Sequence, residues 1–190
     1  MGHVHVNEHG EGQNKKIAIF ISLLALFLAI AETAGKSAQT NALTHNVEAS
    51  NLWAFFQAKT IRKTTLETAA EQMDIDAQLA RDPATKAVIE KRIQDWKARA
   101  ARYESEPDTK EGRKELMGRA QDAQHKHDLA MARYHHFEIA SAAFQIAIVL
   151  ASAYVITGVL YLLGIAGGLG IVGLGFMFIG FVMPHAVHLF

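Results

Sequence analysis

Residues 139–190 read IASAAFQIAIVLASAYVITGVLYLLGIAGGLGIVGLGFMFIGFVMPHAVHLF, and this stretch decides the class of the protein. It contains no Asp, Glu, Lys or Arg. A run of about 18 or more uncharged, apolar residues is typical of a helix that crosses a lipid bilayer. The stretch is too long for one such helix and has the length of two. We therefore expect an integral membrane protein rather than a soluble single domain.

Two membrane-spanning helices fit into this stretch. The first is predicted over residues 137–162, and Leu163–Gly168 supplies a place for the chain to turn. The second is a glycine-rich helix within residues 165–190, which Pro184 ends because proline cannot continue the helical hydrogen bonds. A single tilted span followed by a re-entrant piece is the alternative.

A third apolar run lies near the N-terminus, where residues 17–31 read IAIFISLLALFLAIA. It extends through Gly35 to 19 residues. At about 1.5 Å per residue, that length just crosses a hydrocarbon core of about 30 Å. We predict a transmembrane helix over 17–35, preceded by a flexible, histidine-containing tail over 1–16. A signal peptide is the competing interpretation, because Lys15 and Lys16 form a basic flank.

Charge is concentrated in the middle of the chain. Of the 38 charged side chains, 32 lie between Lys36 and Arg133, and 17 of these are basic and 15 acidic. Nucleic acid is not expected as a partner, since phosphate binding needs a clustered basic surplus. The sequence has no cysteine, which excludes disulfides, thiolate metal sites and cysteine catalysis.

The polar segment 36–136 is predicted to be helical, because it has no glycine before Gly112 and few prolines. Asp82 is a suitable N-cap and Pro83 a suitable first helical residue, so a helix is expected to begin there. Apolar and small residues beyond this point repeat at spacings of four and three, which indicates coiled-coil seams. The two seams are Ile89, Ile93, Trp96, Ala100 and Tyr103, and Leu116, Ala120, Ala123, His127, Ala130 and Tyr134.

Limb lengths decide how this segment is arranged. The outgoing limb, 36–81, and the returning limb, 83–136, are nearly equal in length. One reversal of the chain at Asp82–Pro83 is therefore enough to bring it back to the membrane. A kink or small bulge is expected near Pro107. We predict an all-α fold with three transmembrane helices and a long antiparallel coiled-coil hairpin between the first and the second; a compact three-helix bundle is the alternative. Contacts within the hairpin are expected at Trp53, Phe55, Phe56 and Trp96, and a contact between subunits is the alternative for the first three. Gln57 and Lys59 are expected on a solvated face, with binding of a partner as the alternative.

Three spans would bring several side chains that can bind metal ions to one face of the membrane. They are His135, His136, His185 and His188, with Glu32 and Glu138. Imidazoles and carboxylates suit zinc, copper, nickel or iron, so a metal site at these histidines is one hypothesis. The alternative is that they anchor the helices at the headgroup level. No other cofactor is expected.

Eight of the 14 glycines lie between Gly158 and Gly180. Several of them form smooth faces on the predicted last helix, and small faces let transmembrane backbones approach closely. We predict packing against neighbours on both sides, including other copies of the chain. The packing residues are Gly164, Gly168, Gly170, Gly173, Gly175 and Gly180.

A family resemblance rests on two stretches. They are residues 15–59, KKIAIFISLLALFLAIAETAGKSAQTNALTHNVEASNLWAFFQAK, and residues 135–158, HHFEIASAAFQIAIVLASAYVITG. Together they resemble a family of bacterial membrane proteins known as domain of unknown function 4337. The resemblance implies an inner-membrane protein with about three spans and a coiled-coil insertion, and it implies no activity.

Function is indicated only in outline. No Ser/His/Asp arrangement, phosphate-binding loop or pair of catalytic carboxylates occurs in a recognisable motif, so we expect no enzyme and assign no catalytic residue. We predict a structural or scaffold protein that associates with itself and with lipid in the bacterial inner membrane, with the hairpin on the periplasmic side. The alternative is an oligomeric ion channel or transporter, with Ser141, Gln145 or the interface histidines along its path.

Overall fold

The computed structural model describes residues 8–184, with side chains from Asn14 onward. Within these residues the fold is all-α, as predicted. The four helices are α1 (Glu8–Leu79), α2 (Pro83–Glu104), α3 (Arg113–Thr157) and α4 (Leu160–Val182). Three of them, α1, α3 and α4, contain windows long and apolar enough to cross a membrane. They correspond to the three predicted spans.

Helix α1 continues through both boundaries that were predicted for the first span. It begins at Glu8, so residues 8–16 of the segment predicted as a flexible tail are helical; residues 1–7 lie outside the described part of the chain. It also runs without interruption past Gly35 to Leu79. No proline occurs before Pro83, so nothing in this stretch forces the helix to end.

The turn between the last two spans lies earlier than predicted. Leu163–Gly168 is helical, and the chain turns instead at Gly158, whose φ is 72°. Its backbone N–H donates to the Tyr154 carbonyl at 2.8 Å, which ends α3 with a left-handed glycine. The prediction of a turn at 163–168 was wrong, because glycine density marks close packing in membrane helices as well as turns.

The chain divides into two compact units, and the first comprises the described residues up to Ala42 and from Asp128 onward. Its core contains Phe144, which is fully buried and stacks on Phe27 with ring centroids 6.0 Å apart. Small residues surround this ring and let α1, α3 and α4 approach closely. The buried cluster consists of Leu24, Ala31, Ala140, Phe144, Ala147, Ala151 and Ala166.

The second unit, Leu43–His127, has two apolar clusters along α1. One joins Ala49 and Leu52 to the first turns of α3, and the other joins Ala70 and Ala77 to Ile93 of α2. Five of the nine seam residues in this unit are buried, as the spacing predicts: Ile93, Ala100, Leu116, Ala120 and Ala123.

The interruption predicted near Pro107 is present as the segment 105–112 between α2 and α3. The Glu115 carboxylate holds it, accepting hydrogen bonds from the Ser105 hydroxyl at 2.7 Å and the Glu106 backbone N–H at 3.2 Å. Gly112 is required here, because an added Cβ would overlap the Glu106 nitrogen and lie 2.7 Å from the Ser105 Cα. Lys110 has a positive φ of 56°, which completes the tight turn.

Candidate functional site

The predicted packing glycines of α4 divide into an inward face and an open face. The inward face is Ala166, Gly170, Gly173 and Gly180, all buried. A Cβ added at Gly173 would lie 2.8 Å from the Phe144 ring, and one at Gly180 would lie 3.0 Å from the Phe137 ring. At Gly170 the neighbour is Leu24, at 3.1 Å. These glycines let two aromatic rings and a leucine lie directly on the α4 backbone.

The open face consists of Gly164, Gly168 and Gly175. A Cβ added at any of them would have no described atom within 4 Å. Two large exposed side chains, Ile171 and Phe178, lie on the same side of the helix as these glycines. The open face therefore offers a shallow groove with apolar ridges. Its part in oligomer packing remains a prediction.

The two neighbouring histidines of α3 have different surroundings. His136 is buried, with its Nε2 3.0 Å from the Pro184 carbonyl and its ring stacked on Phe176. Its Nδ1 has no hydrogen-bond partner among the described residues. His135 is half-buried, and its Nδ1 lies 3.6 Å from a carboxylate oxygen of Glu138. Through these contacts the His136 side chain connects α3 to the end of α4 within this unit.

In the part of the chain that the structure describes, no three His, Asp or Glu side chains are grouped so as to hold a metal ion. The other two predicted ligands, His185 and His188, lie outside that part. The metal site therefore stays a prediction, and it depends on residues beyond Pro184.

Two polar side chains of the apolar helices pair across the first unit. Gln145 of α3 donates from its Nε2 to the Glu32 carboxylate of α1 at 3.1 Å, and both residues are exposed. They lie in an open groove of about 420 Å³ that also carries Ser141, Tyr134 and Glu138. This pairing was not predicted, although an isolated polar residue in each of two apolar helices was a signal for it.

The predicted aromatic contacts lie in the second unit. Trp53, Phe55 and Phe56 pack against the cluster around Leu116, and Trp53 meets Phe56 edge to face at 5.5 Å. Trp96, like Met73, packs against the other cluster, which contains Ile93. These contacts place the aromatic side chains within the helix packing of this unit.

Lys59 was predicted on a solvated face, and that was wrong, because the residue is only 6% exposed. Its ammonium lies 5.3 Å from the centroids of both the Phe55 and Tyr103 rings. Carboxylate oxygens of Glu106 and Glu111 lie 3.8 and 3.9 Å away. Rings and carboxylates together compensate the loss of water around a buried cation.

A charged network next to Lys59 links all three helices of the second unit. The Glu104 carboxylate accepts from Lys63 at 3.0 Å and from Arg113 at 2.6 Å, and Arg113 also donates to the Thr60 hydroxyl at 2.8 Å. Hydrogen bonds from Lys63 first, and then from Arg113, hold the pKa of Glu104 below its ordinary value of 4.5. This network joins α1, α2 and α3 next to the 105–112 segment.

Comparison with known proteins gives a family and no activity. The chain matches no curated protein and no solved structure. The family model described as domain of unknown function (DUF4337) matches residues 13–183. This range includes all three candidate spans, the helices between them and the open face of α4. The chain therefore belongs to the DUF4337 family, as its resemblance to that family indicated.

Proposed function

We propose that this protein is a self-associating structural or scaffold protein of the bacterial inner membrane. The observation that carries the proposal is the open face of α4, where Gly164, Gly168 and Gly175 have no described neighbour. The other small face of the same helix is already filled by α1 and α3 within the chain. A second copy is the occupant we propose for the open one.

The physical argument is that glycine is a poor choice for a helix position that contacts only lipid. It destabilises a helix by roughly 1 kcal/mol relative to alanine, and lipid gives no compensating contact. Association between helices in a bilayer is driven by close packing rather than by hydrophobic burial, and small residues permit the closest approach. Glycines on a face with no partner are therefore best explained by a partner that packs there.

The polar segment is proposed to be an antiparallel coiled-coil hairpin with its reversal at Asp82–Pro83. Its support is the order of contacts in the second unit: Lys97 pairs with Asp74, Glu104 with Lys63, and Arg113 with Thr60. In these three pairs the α1 residue number decreases from 74 to 63 to 60, while the number of its partner increases from 97 to 104 to 113. This order is the one expected for helices that run antiparallel. The buried seams are short and rich in alanine, so packing against other copies would add stability.

The test of self-association is a triple substitution, Gly164→Leu, Gly168→Leu and Gly175→Leu. A matched control is Ile165→Leu with Val172→Leu, which places leucines on exposed positions of the same helix about 80–100° around it from Gly164 of the open face. Particle mass in mild detergent is measured by native mass spectrometry. We expect a multiple of 20.9 kDa for the wild type and the control, and a shift towards 20.9 kDa for the glycine variant.

A monomeric wild-type particle would contradict self-association, and an unchanged mass in the glycine variant would contradict the assignment of the contact to the open face of α4. Sidedness is tested separately with single cysteines at positions 5, 36 and 135. We propose that positions 36 and 135 react with an impermeant thiol reagent from the periplasmic side and that position 5 does not. Reaction of all three positions from one side would contradict this topology.

An oligomeric ion channel or transporter is the second candidate, and the Glu32–Gln145 pair favours it. A carboxylate and an amide on apolar helices are costly in lipid unless they face protein or water. The groove around them also carries a hydroxyl at Ser141. Proteoliposome flux of protons and monovalent cations distinguishes the two candidates: a channel requires flux that Glu32→Gln and Gln145→Leu reduce, whereas a scaffold gives none.

A further inference from the structure

Helix α1 carries a second apolar face that no described residue covers. Between residues 43 and 79 five large aliphatic side chains are at least half exposed: Leu43 61%, Val47 58%, Ile61 66%, Ile75 52% and Leu79 74%. On the opposite side of the same helix, Leu52, Ala70 and Ala77 are buried against α2 and α3. In the second unit α1 thus has one apolar face that is packed and another that is exposed.

The exposed face is a straight line along the helix. At about 3.6 residues per turn, Leu43, Ile61 and Leu79 are five turns apart and share one direction, and the positions between them lie within about 40° of it. We call this line the neutral stripe. It consists of Leu43, Val47, Ser50, Ala54, Gln57, Ile61, Thr65, Thr68, Gln72, Ile75 and Leu79, all of them exposed.

The neutral stripe has no Asp, Glu, Lys or Arg along about 54 Å of helix. The neighbouring surface is charged, with Arg62, Glu67 and Glu71 all exposed on α1 itself. A solvated helix face would be expected to carry such charges along its whole length. Charge is absent from this line although the neighbouring surface carries it. The line is therefore expected to be covered in the assembled protein.

We propose that the neutral stripe packs against the same stripe of a second copy of this chain, with the two α1 helices parallel. The proposal deepens the self-association proposed above by naming a contact surface outside α4. Copies that insert into one membrane with the same topology run in the same direction along α1. In a parallel contact about a two-fold axis, each stripe residue meets its own counterpart.

The composition of the neutral stripe fits contact with itself better than contact with another protein. A charged residue facing its own copy would be repelled, and the stripe contains none. Its polar members are Ser50, Gln57, Thr65, Thr68 and Gln72. Hydroxyl and amide groups both donate and accept hydrogen bonds, so the two glutamines can each pair with an identical partner, whereas the Thr65 hydroxyl already donates to the Ile61 carbonyl at 2.8 Å. A repeat of 18 residues in five turns also lets two straight helices stay in contact without supercoiling.

Cysteine cross-linking of the full-length protein in its membrane tests this contact, since the native chain has no cysteine. Ile61→Cys lies on the stripe, and Arg62→Cys is the matched control, exposed at nearly the same height but about 100° around the helix. Because a disulfide needs Cα atoms within about 7 Å, we expect copper phenanthroline to form covalent dimers at least about tenfold faster with Ile61→Cys. Leu43→Cys and Leu79→Cys should behave like Ile61→Cys.

Equal dimer formation by Ile61→Cys and Arg62→Cys would overturn the proposal, because it would indicate random collision. Protection of Cys-substituted position 61 from alkylation, without a dimer, would also overturn it by showing a different partner. The two contacts can fail separately. Dimers at position 61 with no mass change on α4 substitution contradict only the α4 contact, and an α4 mass change without dimers at position 61 contradicts only the stripe contact.

Discussion

Gly173 and Gly168 differ by five positions on one helix, yet an added methyl group should have opposite effects at the two. At Gly173 a Cβ would lie 2.8, 2.9 and 3.0 Å from three carbon atoms of the Phe144 ring. At Gly168 no described atom lies within 4 Å. Gly173→Ala therefore inserts a methyl group into a filled space, and Gly168→Ala is its matched control.

The magnitude follows from how little the Phe144 ring can move. It is fully buried and stacks on Phe27 with centroids 6.0 Å apart, so backing away from α4 pushes it into α1. Overpacking of a filled core costs about 1–3 kcal/mol. The better helix propensity of alanine offsets up to about 1 kcal/mol of this cost. We expect Gly173→Ala to lower the free energy of unfolding of the single chain by about 1–2 kcal/mol. Gly168→Ala should leave this single-chain free energy unchanged or raise it by up to about 1 kcal/mol, because contact between copies is a separate equilibrium.

Unfolding in mixed micelles with a rising fraction of SDS, followed by circular dichroism, measures this difference. A second variant, Gly173→Ala with Phe144→Leu, removes the ring that the methyl group strikes, so part of the loss caused by Gly173→Ala should disappear on the Phe144→Leu background. Equal stability of Gly173→Ala and Gly168→Ala would refute the assignment of Gly173 to the inward face and Gly168 to the open face.

Three further predictions concern the second unit. Gly112→Ala should destabilise the protein by about 1–3 kcal/mol, because its Cβ would overlap the Glu106 backbone nitrogen; thermal melts should show this loss, and a melt like the wild type would contradict the tight 105–112 turn. Asp82→Ala removes the side chain that accepts from the Thr85 N–H at 2.9 Å, so hydrogen exchange should increase in the first turn of α2 and not in α4. Glu104 has a lowered pKa, so its contribution to stability is complete above about pH 4.5 and is lost as the pH falls through the lowered pKa. The difference in melting temperature between the wild type and Glu104→Gln should therefore shrink from about pH 7 to about pH 3, and a constant difference would rule out the proposed ion pairing.

Several features could be predicted from the sequence because they depend on nearby residues. A charge-free run over 139–190 indicates membrane spans whatever the rest of the chain does, since the cost of placing charge in lipid is local. Asp82 followed by Pro83 starts a helix because the cap and the fixed φ act within one turn. The spacing of Ile93 and Ala100 marks the face of α2 that becomes buried, and the spacing of Leu116, Ala120 and Ala123 does the same for α3.

Other features were decided by contacts between residues far apart in the chain. Seven-residue spacing places Gly173 and Gly180 on one side of α4, but only the rings of Phe144 and Phe137 make that side the inward one. The side chains of Gln145 and Glu32 are 113 positions apart and pair because α1 and α3 pack together.

The same reason explains two of the predictions that the structure corrected. Gly158, rather than the richer glycine run after it, ends α3 with a positive φ of 72°, whereas Gly170, Gly173 and Gly180 stay helical and lie against side chains of α1 and α3. Lys59 has the local pattern of a solvated lysine and is buried, since Tyr103 and Glu106, more than 40 positions later in the chain, enclose its ammonium. The sequence by itself determined which segments are helices and which of them suit lipid, because those are local properties. Only the tertiary structure decided which side of each helix is covered, because burial depends on neighbours that sequence distance does not reveal.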